Sequence, residues 1–195
     1  MALLSQTKKL RFLLLLIAIS LAPAFSINQQ SPPQSSLKSY DINAKMKGLF
    51  IYNFARYIKW PEHMESGDFI IGLFGDYEGL FQELKIMSQN KKAGDQSFVV
   101  EKYDNIDQIN RSHIIYIVPE NSDQLPQVIK KMEDNDYNTL ILTDKEGLAR
   151  KGAAINFYYS ESKQRMEINP DNVTKYGLIT SKQLMRVARV VKDHE

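Results

Sequence analysis

Phe69-Ile70-Ile71-Gly72-Leu73-Phe74-Gly75-Asp76 decides the fold. Six apolar residues run without a polar interruption, then stop at a Gly-Asp turn. A strand with one face in water would alternate apolar and polar side chains; this one does not, so both faces are buried. Beyond the turn, Leu80, Phe81, Leu84 and Met87 recur at helical spacing, with Asp76 placed to cap them. Strand, turn and helix make the first half of a parallel crossover unit.

The pattern repeats downstream. Lys91–Gln96 is a polar turn and Ser97–Tyr103 a second strand. His113–Val118 is a third, apolar and β-branched. Ser122 is placed to cap a helix whose Leu125, Val128, Ile129 and Met132 share a face. Asn138–Thr143 is a fourth strand, and Thr143 with Glu146 has capping-box spacing for a short helical turn. Ala153–Tyr159 and Gln164–Ile168 read as a hairpin across residues 160–163. Asn169-Pro170 sets a cap before a proline, and Gly177 ends that short helix. Thr180 and Gln183 again have capping-box spacing. The last helix is expected to turn Leu184, Val187, Ala188 and Val191 to the core. This alternation predicts a single-domain α/β sandwich: a largely parallel sheet, helices on both faces and a late antiparallel hairpin.

Upstream, Asn43–Lys59 has helical periodicity, with Met46, Leu49, Phe50, Phe54, Tyr57 and Ile58 on one side and Lys45, Arg56 and Lys59 toward another. Pro61 stops it after Trp60, the single tryptophan. Most of this aromatic density is expected in the core. What remains exposed is a rigid surface suited to anchoring a partner.

The N-terminus reads as an address. Lys8, Lys9 and Arg11 precede the uncharged run Phe12–Leu21, and Ala22-Pro23-Ala24-Phe25-Ser26 has small residues at cleavage-site positions. Residues 1–26 are expected to be a secretory signal peptide removed after Ser26; the apolar run is about half the ~20 residues of a membrane-spanning helix. Residues 27–39, rich in Gln, Ser and Pro, are expected to be a disordered linker, and the domain to occupy 40–195. The whole chain has a formal charge of +2; without the three basic residues of the leader it has −1. No basic surplus then remains to indicate nucleic acid or anionic lipid. There is no cysteine, so disulfides, thiol nucleophiles and thiolate metal sites are excluded.

Catalytic motifs do not emerge. His63, His113 and His194 are the three histidines, and none has a second histidine at ligand spacing, so no metal site is proposed. There is no nucleophile elbow or phosphate loop. The Gly72–Asp76 turn lacks dinucleotide-fingerprint spacing, and its aspartate would repel phosphate. Ser112 and His113 are adjacent on a strand and point to opposite faces. Asn172-Val173-Thr174 matches a glycosylation sequon inside a predicted helix. No catalytic residue and no cofactor are expected.

Four segments together resemble a known family. Ala44–Pro61, ending in aromatic-x-x-Trp-Pro, looks like the opening signature of the YfiR-like periplasmic proteins. Ser112–Ile117 resembles their His-led buried strand. Gly152–Phe157 with Met166–Asn169 resembles their late hairpin, and Tyr176–Leu184 the approach to their last helix. The resemblance implies an exported α/β regulator, not an enzyme. It also implies a partner: the periplasmic part of an inner-membrane signalling protein, in the best-understood type a diguanylate cyclase held inactive, which lowers cyclic di-GMP. Many members carry a cysteine just before the strand histidine, where this chain has Ser112, so redox control through disulfides does not apply here.

Two functions are weighed. One is a regulator docking through an exposed apolar patch, with Tyr57, Trp60, Met185, Arg186 and Arg189 as the expected partner-binding residues. The other is a small-ligand receptor with a pocket between Phe74–Tyr77 and the aromatic helix, at the strand C-terminal edge. His113, Asn169 and Gly177 are expected to be structural. A homodimer is left open, and the processed chain is not expected to span the membrane.

Overall fold

The computed structural model describes residues 41–161 and 163–193. The expected signal peptide and linker, and His194, lie outside the described residues. Asp41 caps α1 (Ile42–Tyr57), its carboxylate accepting from the Ala44 N–H at 2.9 Å. After β1 (Ile58–Lys59) and a 3-10 turn at Glu62–Met64 come β2 (Phe69–Phe74) and α2 (Glu78–Asn90). Then follow β3 (Lys92–Ala93), β4 (Gln96–Tyr103), β5 (Ile114–Ile117), α3 (Leu125–Asp134) and β6 (Leu140–Thr143). The hairpin is β7 (Ile155–Ser160) with β8 (Lys163–Ile168). The chain closes with α4 (Pro170–Thr174), β9 (Ile179–Thr180), α5 (Lys182–Val187) and β10 (Arg189–Val190).

Among the described residues, eight strands form one mixed sheet in the order β10-β8-β7-β6-β5-β2-β4-β3. β4, β2, β5, β6 and β7 run parallel, and β8 pairs antiparallel with β7. The α/β sandwich read from the sequence is the architecture found. The chain passes from β2 outward to β4, then returns across β2 to β5, so its winding reverses between β2 and β5. Right-handed crossovers in opposite directions put α2 on one face and α3 on the other. α1 joins α2: Tyr52 meets Phe98, and Phe50 and Phe54 meet Phe157. Phe74, Tyr103, Ile117 and Thr143 share one row at the C-terminal edge of the sheet.

Several expectations are corrected. α1 buries Ala44, Lys47, Gly48, Ile51 and Phe54, while Met46 is 40% and Leu49 60% exposed. The helix is turned so that its small residues meet α2: a Cβ added at Gly79 would fall 3.4 Å from the Ala44 Cβ. Asp76 does not cap α2, which starts at Glu78 after Tyr77; its carboxylate pairs instead with Lys102 at 2.7 Å. Ser122 lies inside a 3-10 turn, its hydroxyl donating to the Pro119 carbonyl. Thr143 is buried and donates to Asn156 Oδ1 at 2.8 Å rather than capping. Ser181, not Thr180, caps α5, accepting from the Leu184 N–H. α5 is short because the chain turns into β10 to pair with β8, and this leaves Val187 66% exposed while Leu184 and Val191 are buried.

Candidate functional site

The row of strand ends where the winding reverses is where open α/β sheets usually take ligands. Here the protein's own side chains fill it. Lys47 projects from α1 and its ammonium lies 2.8 Å from Asp144 Oδ2, just beyond β6, with side chains only 4% and 10% exposed. The Tyr116 hydroxyl, from β5, donates to the same oxygen at 2.9 Å. The Lys47 ammonium also stands over the rings of Tyr77 and Tyr159, at 5.4 and 6.0 Å. Tyr77 hydrogen-bonds Asp41. Burial first, then the neighbouring carboxylates, raises the pKa of Tyr116, Tyr77 and Tyr159, so all three stay neutral. The receptor pocket expected here is thus occupied by a charge pair and its tyrosines.

Sequence reasoning missed Lys47, although a signal was present. Ala44, Lys47, Gly48, Ile51 and Phe54 follow helical spacing, but the stripe looks weak beside the more apolar Met46 and Leu49.

The expected partner residues are scattered in role. Trp60 is buried edge-on against Phe69 and His113, centroids 5.0 and 5.9 Å away, with no hydrogen-bond partner for its indole N–H. Tyr57 is half-buried below the Arg56 guanidinium, and its carbonyl accepts from the Ser181 N–H, which clips α1 to the start of α5. Met185 is half-buried against the core, and Arg186 is exposed. Tyr57 and α5 are therefore brought together. Arg189 is engaged elsewhere: it pairs with the buried Glu167 and stacks its guanidinium 4.8 Å from the Tyr158 ring centroid, holding β10 on the sheet. Asn156 also donates to Glu167.

His113 accepts at Nδ1 from the Ile70 N–H, 3.0 Å, and faces the Met64 carbonyl with Nε2 at 2.8 Å. Asn169 caps α4, accepting from the Asp171 N–H, and donates to the Ala149 carbonyl and Asp193. Gly177 adopts φ 71°, which L side chains resist. The sequon Asn172 is buried, its amide donating to the Ala149 and Ala153 carbonyls. Ser112 is buried 3.1 Å from the Tyr103 hydroxyl, which donates to Glu101; burial and that carboxylate push Tyr103 up to about 12. Among the described residues, no three His, Asp or Glu side chains gather as a metal site, and no helix is long and apolar enough to cross a membrane.

Exposed apolar side chains line α1 and α2, and Ile179, Val187 and Val190 near α5 are exposed as well. Ile42, Met46 and Leu49 make an exposed apolar row along α1, and Ile86 of α2 is 54% exposed beside it. Between the helices lies an open groove of about 280 Å³, floored by Gly48 and walled by Leu49, Tyr52, Ile86 and Met87.

The fold has distant structural likenesses. An ABC domain from Streptococcus pneumoniae, solved in complex with L-Trp, matches with a TM-score of 0.51 at 9% identity, over 76% of this chain and 60% of that one. A conserved domain protein from Vibrio cholerae gives 0.48 at 12% identity, over 77% and 60%. This chain thus spans about 60% of the length of either, and the likeness to the first is one of fold alone. No curated protein matches it significantly. A family match is nonetheless clear: the family described as YfiR/HmsC-like matches residues 44–189, from the first buried turn of α1 to β10, and the chain belongs to that family.

Proposed function

We propose that this chain is an exported, non-catalytic regulator that docks on the periplasmic part of an inner-membrane signalling protein. That protein is a diguanylate cyclase, and docking holds it inactive and lowers cyclic di-GMP. The observation carrying this reading is the exposed row Ile42, Met46 and Leu49 on α1, continued by Ile86. Leaving such a row in water costs hydrophobic free energy that a partner would recover, at about 25 cal/mol per Å² covered. Family membership and the leader-like N-terminus support the periplasmic setting. The ligand-receptor alternative finds less support, because Lys47, Asp144 and Tyr116 fill the strand-edge crevice it needs.

The test combines capture and physiology. The processed chain, immobilised, is offered solubilised inner membranes, and cyclic di-GMP is measured with and without the gene. Capture of a diguanylate cyclase and a several-fold rise of cyclic di-GMP on deletion are expected, with the periplasmic form starting at Ile27. Unchanged cyclic di-GMP, or an intact Met1 in a cytoplasmic fraction, would sink the reading.

A further inference from the structure

We infer that the groove between α1 and α2 seats an acidic amphipathic helix of the membrane partner. This rests on the docking function above and names the element that docks. α1 and α2 lie side by side in the same direction: Gly79 is placed against Asp41 and Ala44, Glu83 against Gly48, and Lys91 over the Tyr52 ring at 5.7 Å. α1 contributes Lys45, Gly48, Leu49 and Tyr52 to the groove. α2 contributes Glu83, Ile86, Met87 and Asn90. Each set has i, i+3, i+4, i+7 spacing, the spacing of helical ridges that receive another helix. Gly48 keeps the floor low, while Leu49 and Ile86, 60% and 54% exposed, rise as apolar walls. Met87 adds an adaptable apolar surface.

Charge selects the kind of helix. Lys45 stands at one end of the groove and Lys91 at the other, roughly two helical turns or about 11 Å apart along the axes. Glu83 is the one carboxylate among the lining residues. The complement is a helix with carboxylates about seven positions apart and apolar residues between them, so that each carboxylate meets a lysine while the apolar side chains enter the groove. A bilayer is a poorer match, since it needs a protruding apolar surface and this one is concave.

A photoreactive benzoylphenylalanine placed at Ile86 in the full chain, in its native host, tests this. Met185 serves as a second placement. After irradiation the cross-linked segment is sequenced. A membrane-protein helix with that acid–apolar–acid pattern is expected from Ile86. Lys91→Glu, at an exposed helix end, should lower that yield at least tenfold without changing the melting temperature by more than a few degrees. A membrane partner cross-linked only from Met185 overturns the groove while docking stands. Cross-links from Ile86 only to lipid or to a second copy of this chain also overturn it, as does a yield indifferent to Lys91→Glu. Silence from both placements overturns the docking function as well.

Discussion

His113 shows how a single side chain is committed by its surroundings. A backbone N–H can only donate and a carbonyl can only accept. The contacts to Ile70 and Met64 therefore put the proton on Nε2 and leave Nδ1 bare. A second proton would face the Ile70 N–H. Burial lowers the imidazole pKa, the Met64 carbonyl opposes this, and the nearby Arg111 charge lowers it further. The unfolded chain then binds a proton that the folded one resists. This contribution to stability is whole above the unfolded value of about 6.5 and is lost as pH falls through the lowered folded value. His113→Gln should cost about 1–3 kcal/mol near neutral pH, because two backbone groups lose a matched partner. Urea unfolding at pH 7.5 and 5.5 measures both effects, and the variant should lose less on acidification than the wild type. A variant as stable as the wild type but inactive would point to a chemical role for the imidazole.

At the scale of elements, α1 is the informative case. Hydrophobicity alone places Met46 and Leu49 inside, yet close packing favours the face with Ala44 and Gly48, since helices gain more contact where backbones approach. Gly48 occupies a helix interior with ordinary helical backbone, and an added Cβ would meet the Glu83 Cβ at 3.6 Å, a normal van der Waals distance. Gly48→Ala should therefore raise stability by roughly 0.5–1 kcal/mol through the unfolded chain's lost freedom. A thermal melt checks this; destabilisation would mean that the α1–α2 contact has no room for the added methyl. Gly75 is the contrast. It has φ 104°, and a Cβ there would fall 2.3 Å from Val118 Cγ2, so no side chain fits the turn between β2 and α2. Of the expected docking residues, Trp60 is buried, Tyr57 and Met185 are half-buried and Arg186 is exposed, while Ile42, Met46, Leu49 and Ile86 of α1 and α2 stand open to water.

Across the whole molecule, the Lys47–Asp144–Tyr116 cluster joins the first helix to strand ends that the chain reaches much later. A buried ion pair adds little net stability, because desolvation offsets attraction, but removing one partner strands the other. Lys47→Met should cost about 3–5 kcal/mol. Adding Asp144→Asn removes the stranded charge while keeping an acceptor for Tyr116, and should recover at least half of the loss. Equilibrium unfolding of both variants measures it. If the double variant is as unstable as the single one, packing of Lys47, not its charge, holds α1 on the sheet.

Much of this molecule was legible before folding. Phe69–Phe74 and Ile114–Ile117 are continuous apolar runs too short for a buried helix, which marks them as strands covered on both faces. The hairpin of β7 and β8, the α/β class and the family signature were likewise local properties of the sequence. Helix caps were less legible: Asn169 caps α4, Ser181 caps α5 in place of its neighbour Thr180, and Asp76, Ser122 and Thr143 give their side chains to other partners. Three things were decided only in three dimensions. The face α1 buries depends on α2 and on Asp144. The role of Arg189 depends on Glu167, which β8 presents to it. The groove exists because two helices separated by β1 and β2 come to lie side by side. Each is set by partners distant in the chain, and periodicity in one segment carries no information about what a distant segment will bring against it.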